Sequence, residues 1–142
     1  MSTYKVKATK TTTGMQVSAG ARGFEITFDE PESTNTGMNP VEILLTSFGA
    51  CQAITATELA RKRHFDLRAF WVDIEGDLGR EDVANDDNRY KFTEIRYQPH
   101  VRSDESDEDI QKFLADVARK CPVENTLAFG TKFVQDGFVK EN

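Results

Sequence analysis

The sequence predicts an α+β domain with the element order βββ-α-ββ-α-β. Three observations carry that prediction: period-2 alternation in the first third of the chain, one long helix with a well-marked start, and an amphipathic helical face late in the sequence. Tyr4–Lys10 alternates, Gln16–Ala19 forms a second short strand, and Phe24–Phe28 reads Phe-Glu-Ile-Thr-Phe, apolar at every other position. Turns are expected at Thr11–Gly14 and Ala19–Gly23, and Asp29–Gly37 is a polar connector rich in turn formers.

The long helix opens at Asn39, a favoured N-cap type. Pro40 is preorganised for the first helical position, and Glu42 stands where the acid of a capping box belongs. It runs to about Arg63, with Arg61, Lys62 and Arg63 at the negative end of its dipole. Val41, Leu44, Leu45, Phe48, Cys51 and Leu59 mark an apolar side, while Thr, Ser, Gly and Ala fill most other positions as far as Glu58. A helix so short of long charged side chains is expected to be buried on most sides. Ala69–Gly76 and Lys91–Val101 alternate as half-buried strands, and the acidic stretch Asp77–Tyr90 between them reads as an exposed loop. A second helix begins near Ser106 or Asp107. Its Ile110, Phe113, Leu114, Val117, Ala118 and Cys121 recur at helical spacing, and Pro122 ends or kinks it. Lys132–Val139 reads as the last strand.

Length and charge narrow the function classes. The 142 residues suit one domain spanning 1–142 with a real core. Eighteen basic against 24 acidic residues leave a net charge of −6, the wrong sign for duplex nucleic acid or an anionic membrane surface. No apolar run is expected to reach the roughly 18 residues of a membrane span, and the N-terminal residues lack the apolar core of a signal peptide, so a cytoplasmic location is expected. Two cysteines make no disulfide scaffold.

Those two cysteines are the first candidates for chemistry. At about 100° per residue, Cys51 falls on the Leu44–Phe48 side of its helix and Cys121 within about 20° of Ile110 on the other. Each therefore lies on the inner side of a helix, and packing of the two helices would bring their sulfurs together. The segment after Cys121 can open a new helical turn, which would lower the thiol's pKa. Cysteine is also a frequent inert core residue, and these patterns leave both readings open. Cys51, Cys121, His64 and His100 show no zinc-ligand spacing. Trp71 fits a core or dimer interface, His64 a helix end, and His100 a strand end with no visible partner.

Gly37-Met-Asn-Pro-Val-Glu-Ile-Leu-Leu-Thr-Ser-Phe-Gly-Ala-Cys51 resembles the first-cysteine signature of the family of osmotically inducible protein C and organic hydroperoxide resistance proteins, the OsmC/Ohr family. Cys121-Pro-Val-Glu-Asn-Thr-Leu127 resembles its second-cysteine motif. The resemblance implies an OsmC-like fold, β-sheets packed around two central helices in an intertwined homodimer, with no metal or organic cofactor. It implies a peroxidatic Cys51, a resolving Cys121, a hydroperoxide as small-molecule substrate, and reduction by a dithiol such as a lipoylated protein or a small thiol. Arg22 lies in the early β region where the family's thiolate-activating arginine is found; an exposed turn arginine is the alternative. The hydroperoxide-resistance branch has a carboxylate directly after the helix-opening proline. Here that position is Val41, and Glu42, nine residues before Cys51, faces about 180° away from it. The chain thus resembles the OsmC-like branch. A non-catalytic binding or redox-sensing module with a small apolar pocket is the rival reading.

Overall fold

The computed structural model describes residues 1–81 and 89–142. It resolves into two compact units, Met1–Ser47 and Phe48–Asn142, with one helix continuing across the boundary.

The first unit is a three-stranded antiparallel meander of β1 (Lys7–Lys10), β2 (Val17–Ala21) and β3 (Phe24–Phe28). Pairing runs from Lys7↔Gly20 to Lys10↔Val17, and from Val17↔Phe28 to Ala21↔Phe24. β2 continues to Ala21, beyond the expected end at Ala19, because a two-residue turn suffices to reverse the chain. Arg22 (φ 56°) and Gly23 (φ 88°) both take the left-handed conformation, the arrangement whose twist matches that of the paired strands.

The polar connector is organised around one carboxylate. Asp29 is 1 % exposed and accepts from the Glu30 N–H (2.8 Å), the Thr36 N–H (3.0 Å), the Thr36 hydroxyl (2.7 Å) and the Thr34 hydroxyl. The two threonine hydroxyls above all hold this carboxyl well below the usual carboxylate range. The connector delivers the chain to Asn39, where the capping box closes as expected. The Glu42 N–H donates to Asn39 Oδ1 (2.8 Å), and the Asn39 N–H donates to Glu42 Oε1 (3.1 Å).

Helix α1 spans Pro40–Arg63. His64, at φ 53°, occupies the left-handed position after it, and the Phe65 N–H reaches back to the Ala60 carbonyl at 3.0 Å. The expectation of burial on most sides is corrected. Phe48, Gln52, Thr55, Ala56, Leu59 and Ala60 form one buried edge, while Ile54 is 62 % exposed. Small side chains make a helix able to accept neighbours all round, but a single chain covers only one edge. By length and composition α1 is also long and apolar enough to cross a membrane, contrary to the expectation that no segment would be. Its alanines raise the average without adding bulk, and its buried edge includes the polar Gln52 and Thr55, so it reads as a core helix.

In the second unit, β4 (Ala69–Glu81) and β5 (Arg89–Arg102) form a long antiparallel ribbon, in register from Ala69↔Arg102 to Glu81↔Arg89 with a bulge at Asp77/Leu78. The loop expected over Asp77–Tyr90 is therefore strand at both ends, and the rest of it lies outside the described residues. Opposite charges across the ribbon explain the extension. Across the ribbon Arg96 bonds Glu75 (2.9 Å) and Asp77 (2.7 Å), and along its own strand Glu94 (2.6 Å), so Asp77, which looks like a loop acid in sequence, serves as a cross-strand partner. His100, which shows no partner in the sequence, has two here. Its ring stacks on Trp71 (centroids 4.8 Å apart, 4° between planes), and Nε2 lies 2.8 Å from Asp73 Oδ2.

Helix α2 (Asp107–Lys120) is capped by the Ser106 hydroxyl, which accepts from the Asp109 N–H at 3.1 Å. Its expected inner face is correct: Phe113, Val117 and Cys121 are buried. The core comprises Ala56, Leu59, Ala60, Phe113 and Val117, flanked by Phe65, Leu67, Phe70 and Leu114. Helix α3 (Pro122–Phe129) follows at once. The expected strand Lys132–Val139 is absent; residues 130–142 have no regular structure, and Phe133 (93 %) and Phe138 (86 %) are exposed. Alternation marks a segment suited to pairing, but a strand exists only where another backbone meets it.

Candidate active site

Cys121 is the hinge between two helices. Its N–H closes α2 on the Val117 carbonyl (3.0 Å), its carbonyl accepts from the Asn125 N–H (3.1 Å), and its sulfur caps α3 by accepting from the Glu124 N–H (3.5 Å). Pro122 fits there because the first position of a helix has no partner for an N–H. Cys51, on α1, is partly exposed, whereas Cys121 is completely buried. The structure brings the two together: the Cys51 side chain lies close enough to that of Cys121 to raise its proton affinity. Both thiols are free.

The electrostatics of Cys121 reverse the expectation that a helix N-terminus would lower its pKa. Burial first, and the Cys51 side chain second, push the thiol up to about 11, against the opposing pull of the Glu124 N–H and the Gln52 amide. A capping N–H stabilises a thiolate, but one such bond at 3.5 Å does not offset the loss of water around a fully buried sulfur.

Around Cys121 lies a polar cluster from three elements. Gln52 Nε2 donates to Glu124 Oε2 (2.6 Å), and the Tyr97 hydroxyl donates to Glu124 Oε1 (3.1 Å). Tyr97 also meets Phe48 edge-on, with ring centroids 4.8 Å apart at 85°. Burial and the Glu124 carboxylate push the Tyr97 phenol up to about 12. A pocket of about 270 Å³ adjoins this cluster, with Phe48, Phe92, Ile95 and Leu127 on its apolar side and Tyr97 and Glu124 on its polar side. Gly76 opens this region, since a Cβ there would lie 2.7 Å from the Phe92 ring.

The shifts of Cys121 and Tyr97 have one sign. Both groups hold their protons more tightly folded than unfolded, so the stability they confer is full below the ordinary values of 9.0 and 10.0. It is lost as pH rises towards about 11 and about 12. The melting temperature is expected to fall across this alkaline range, and to fall less steeply in a Cys121→Ala variant. Equal slopes for the two proteins would contradict the account of Cys121.

Arg22 lies in the other compact unit, in the β2–β3 turn. It is exposed, with its guanidinium 5.2 Å from the centroid of the Phe24 ring. Glu42 is engaged in the capping box. Among the described residues, no group of three or more His, Cys, Asp or Glu side chains is placed to hold a metal ion. Gln52 directly follows Cys51 in the chain, whereas Glu124 and Tyr97 are brought to the thiols by the fold. Glu124 had a signal, being the acid of Cys-Pro-Val-Glu. Tyr97 had none, because only strand register brings it to α3.

Residues 33–135, which include both cysteines, match the profile of the OsmC-like proteins. The chain belongs to the OsmC-like protein family. Among curated relatives, a hydroperoxide reductase of Mycoplasma genitalium is 27% identical over 113 residues, covering 78% of this chain and 77% of the relative. A hydroperoxide reductase of Mycoplasma pneumoniae is 28% identical over 105 residues, covering 73% and 72%. Among solved structures, an OsmC-like protein of Mycoplasma pneumoniae superposes with a TM-score of 0.78 at 26% identity, covering 89% of this chain and 88% of that one. The α+β arrangement read from the sequence is thus that of the OsmC-like fold. The thiol pair and its pocket sit on α1, β5 and the α2–α3 junction of that fold.

Proposed function

We propose that this OsmC-like protein is a thiol-dependent reductase of hydroperoxides, organic ones by preference, with Cys51 peroxidatic and Cys121 resolving. The observation that carries the reading is the contact between a partly exposed thiol and a buried one from two separate elements. The Cys51 thiolate attacks the outer oxygen of the hydroperoxide. The O–O bond breaks, the alkoxide takes a proton and leaves as alcohol, and Cys51 becomes a sulfenic acid. Cys121, buried and held protonated, stays out of this step and condenses with the sulfenic acid to a disulfide, releasing water. A dithiol, lipoylated protein or small thiol, then reduces the disulfide by exchange. The preference for organic substrates rests on the apolar wall of Phe48, Phe92, Ile95 and Leu127.

The working form is a homodimer in the cytoplasm. Exposed Ile54 on α1 and Phe129, Phe133 and Phe138 near the C-terminus support a second copy as the partner. Arg22 is the cation assigned to Cys51 thiolate activation. Its support is its place in the early β region, where the family resemblance puts the activating arginine.

Intact-mass spectrometry of the reduced protein after one equivalent of tert-butyl hydroperoxide tests the reading, with hydrogen peroxide and a Cys51→Ser variant alongside. Loss of two hydrogens is expected in the wild type, faster with the alkyl peroxide and absent in the variant. Thiols that survive both oxidants would reject the catalytic reading and leave the apolar pocket as the binding site of a non-catalytic module.

A further inference from the structure

The cluster around Cys121 has a feature that packing alone does not call for. Gln52 is 2 % exposed and directly follows Cys51 on α1, so one helical turn carries the proposed peroxidatic sulfur and a buried amide. That amide is held by Glu124 Oε2 at 2.6 Å, and it lies close enough to the Cys121 side chain to pull its proton affinity down. Glu124 is itself fixed from two sides. Its other oxygen accepts from the Tyr97 hydroxyl at 3.1 Å, and its own N–H donates to the Cys121 sulfur at 3.5 Å. Every buried side-chain nitrogen and oxygen among the described residues has a partner, so the amide is not idle. A buried amide and carboxylate both carry a desolvation cost that apolar residues of similar volume would not.

We infer that Gln52, anchored by Glu124, is a positioning residue for disulfide formation, holding the Cys121 sulfur towards Cys51 and donating to it as its proton departs. The inference rests on the two-cysteine reading above. In that step the Cys121 sulfur forms a bond to the Cys51 sulfur, and the S–O bond of the sulfenic acid breaks with its electron pair on oxygen. The thiol proton ends on that oxygen, so the products are the disulfide and water. No other oxidant or reductant enters. Negative charge develops on the fully buried Cys121 sulfur as the proton leaves, and an N–H aimed at it gains strength as the charge grows. Glu124 Oε2 takes one N–H of the amide, leaving the second N–H of the same group for the sulfur.

The test separates the two chemical steps. Reduced protein is mixed with tert-butyl hydroperoxide, quenched at intervals with dimedone, which traps sulfenic acid, and weighed intact. In the wild type the dimedone adduct is expected to be transient and to give way to the disulfide. In Gln52→Leu the second step slows relative to the first by roughly 10- to 100-fold, the scale of one hydrogen bond to a charged group, and the adduct accumulates. Gln52→Glu keeps the side chain's size but donates only when protonated, and beside Glu124 the new carboxyl ionises at raised pH. Its disulfide step is expected to be fast at low pH and slow above that ionisation, a break absent from the wild-type profile. Disulfide formation in Gln52→Leu at the wild-type rate, or a wild-type pH profile in Gln52→Glu, overturns the inference while leaving the two-cysteine reaction standing. A wild type that yields neither adduct nor disulfide overturns the reaction itself.

Discussion

Serine in place of Cys51 is expected to lower steady-state hydroperoxide turnover, with dithiothreitol as reductant, by roughly 10³-fold or more, the scale of deleting an enzyme nucleophile. A serine alcohol does not ionise near neutral pH, and the remaining thiol is a poor substitute. With Cys121 pushed up to about 11, its thiolate amounts at pH 7 to roughly one molecule in 10⁴, and the sulfur is fully buried. Cys121→Ser should behave differently. It consumes one equivalent of peroxide and forms the sulfenic acid, then adds further oxygen at Cys51 when peroxide is in excess, because the thiol that would intercept it is gone. Mass shifts of one and then two oxygens in that variant, beside a silent Cys51→Ser, would establish the order of the thiols. Turnover retained in Cys51→Ser and lost in Cys121→Ser would reverse it.

The largest structural effect is expected at Phe113. Its ring is 2 % exposed and stacks on Phe65, with centroids 4.0 Å apart and planes 7° from parallel. It is also the bulkiest member of the core formed with Ala56, Leu59, Ala60 and Val117. Four small or medium partners surround it, two of them alanines on α1, so little can collapse into the space it leaves. Phe113→Ala is expected to cost about 3–5 kcal/mol, a large share of the roughly 5–15 kcal/mol that holds a domain folded. Urea denaturation followed by the fluorescence of Trp71 measures it. A loss below about 1 kcal/mol would show that α2 is not anchored through this ring. Because α2 ends at Cys121, the same variant is expected to loosen that thiol.

Local signals were read correctly where one element suffices. The capping box at Asn39 and Glu42, the end of α1 at Arg63, and the inner face from Ile110 to Cys121 depend on backbone geometry and side-chain spacing within a single helix. The misreadings share a different cause. Asp77 looks like a loop acid until Arg96 is seen across the ribbon, and Lys132–Val139 looks like a strand because alternation carries no information about whether a partner exists. The one-sided burial of α1 belongs with them. Small residues permit close approach but do not state what approaches.

The sequence by itself determined the family, the two cysteines as the residues of interest, and the helices that carry them. These follow from motif identity and from the 3.6-residue period, both written along the chain. Only the tertiary structure decided that the thiols are neighbours, and that Cys121 is held protonated despite capping a helix. It alone showed Gln52, Glu124 and Tyr97 closing around the buried sulfur. The reason is physical. A thiol's proton affinity depends on how much water is excluded around it and on which dipoles face it. Those come from elements far apart in the chain, set side by side only when the core has formed.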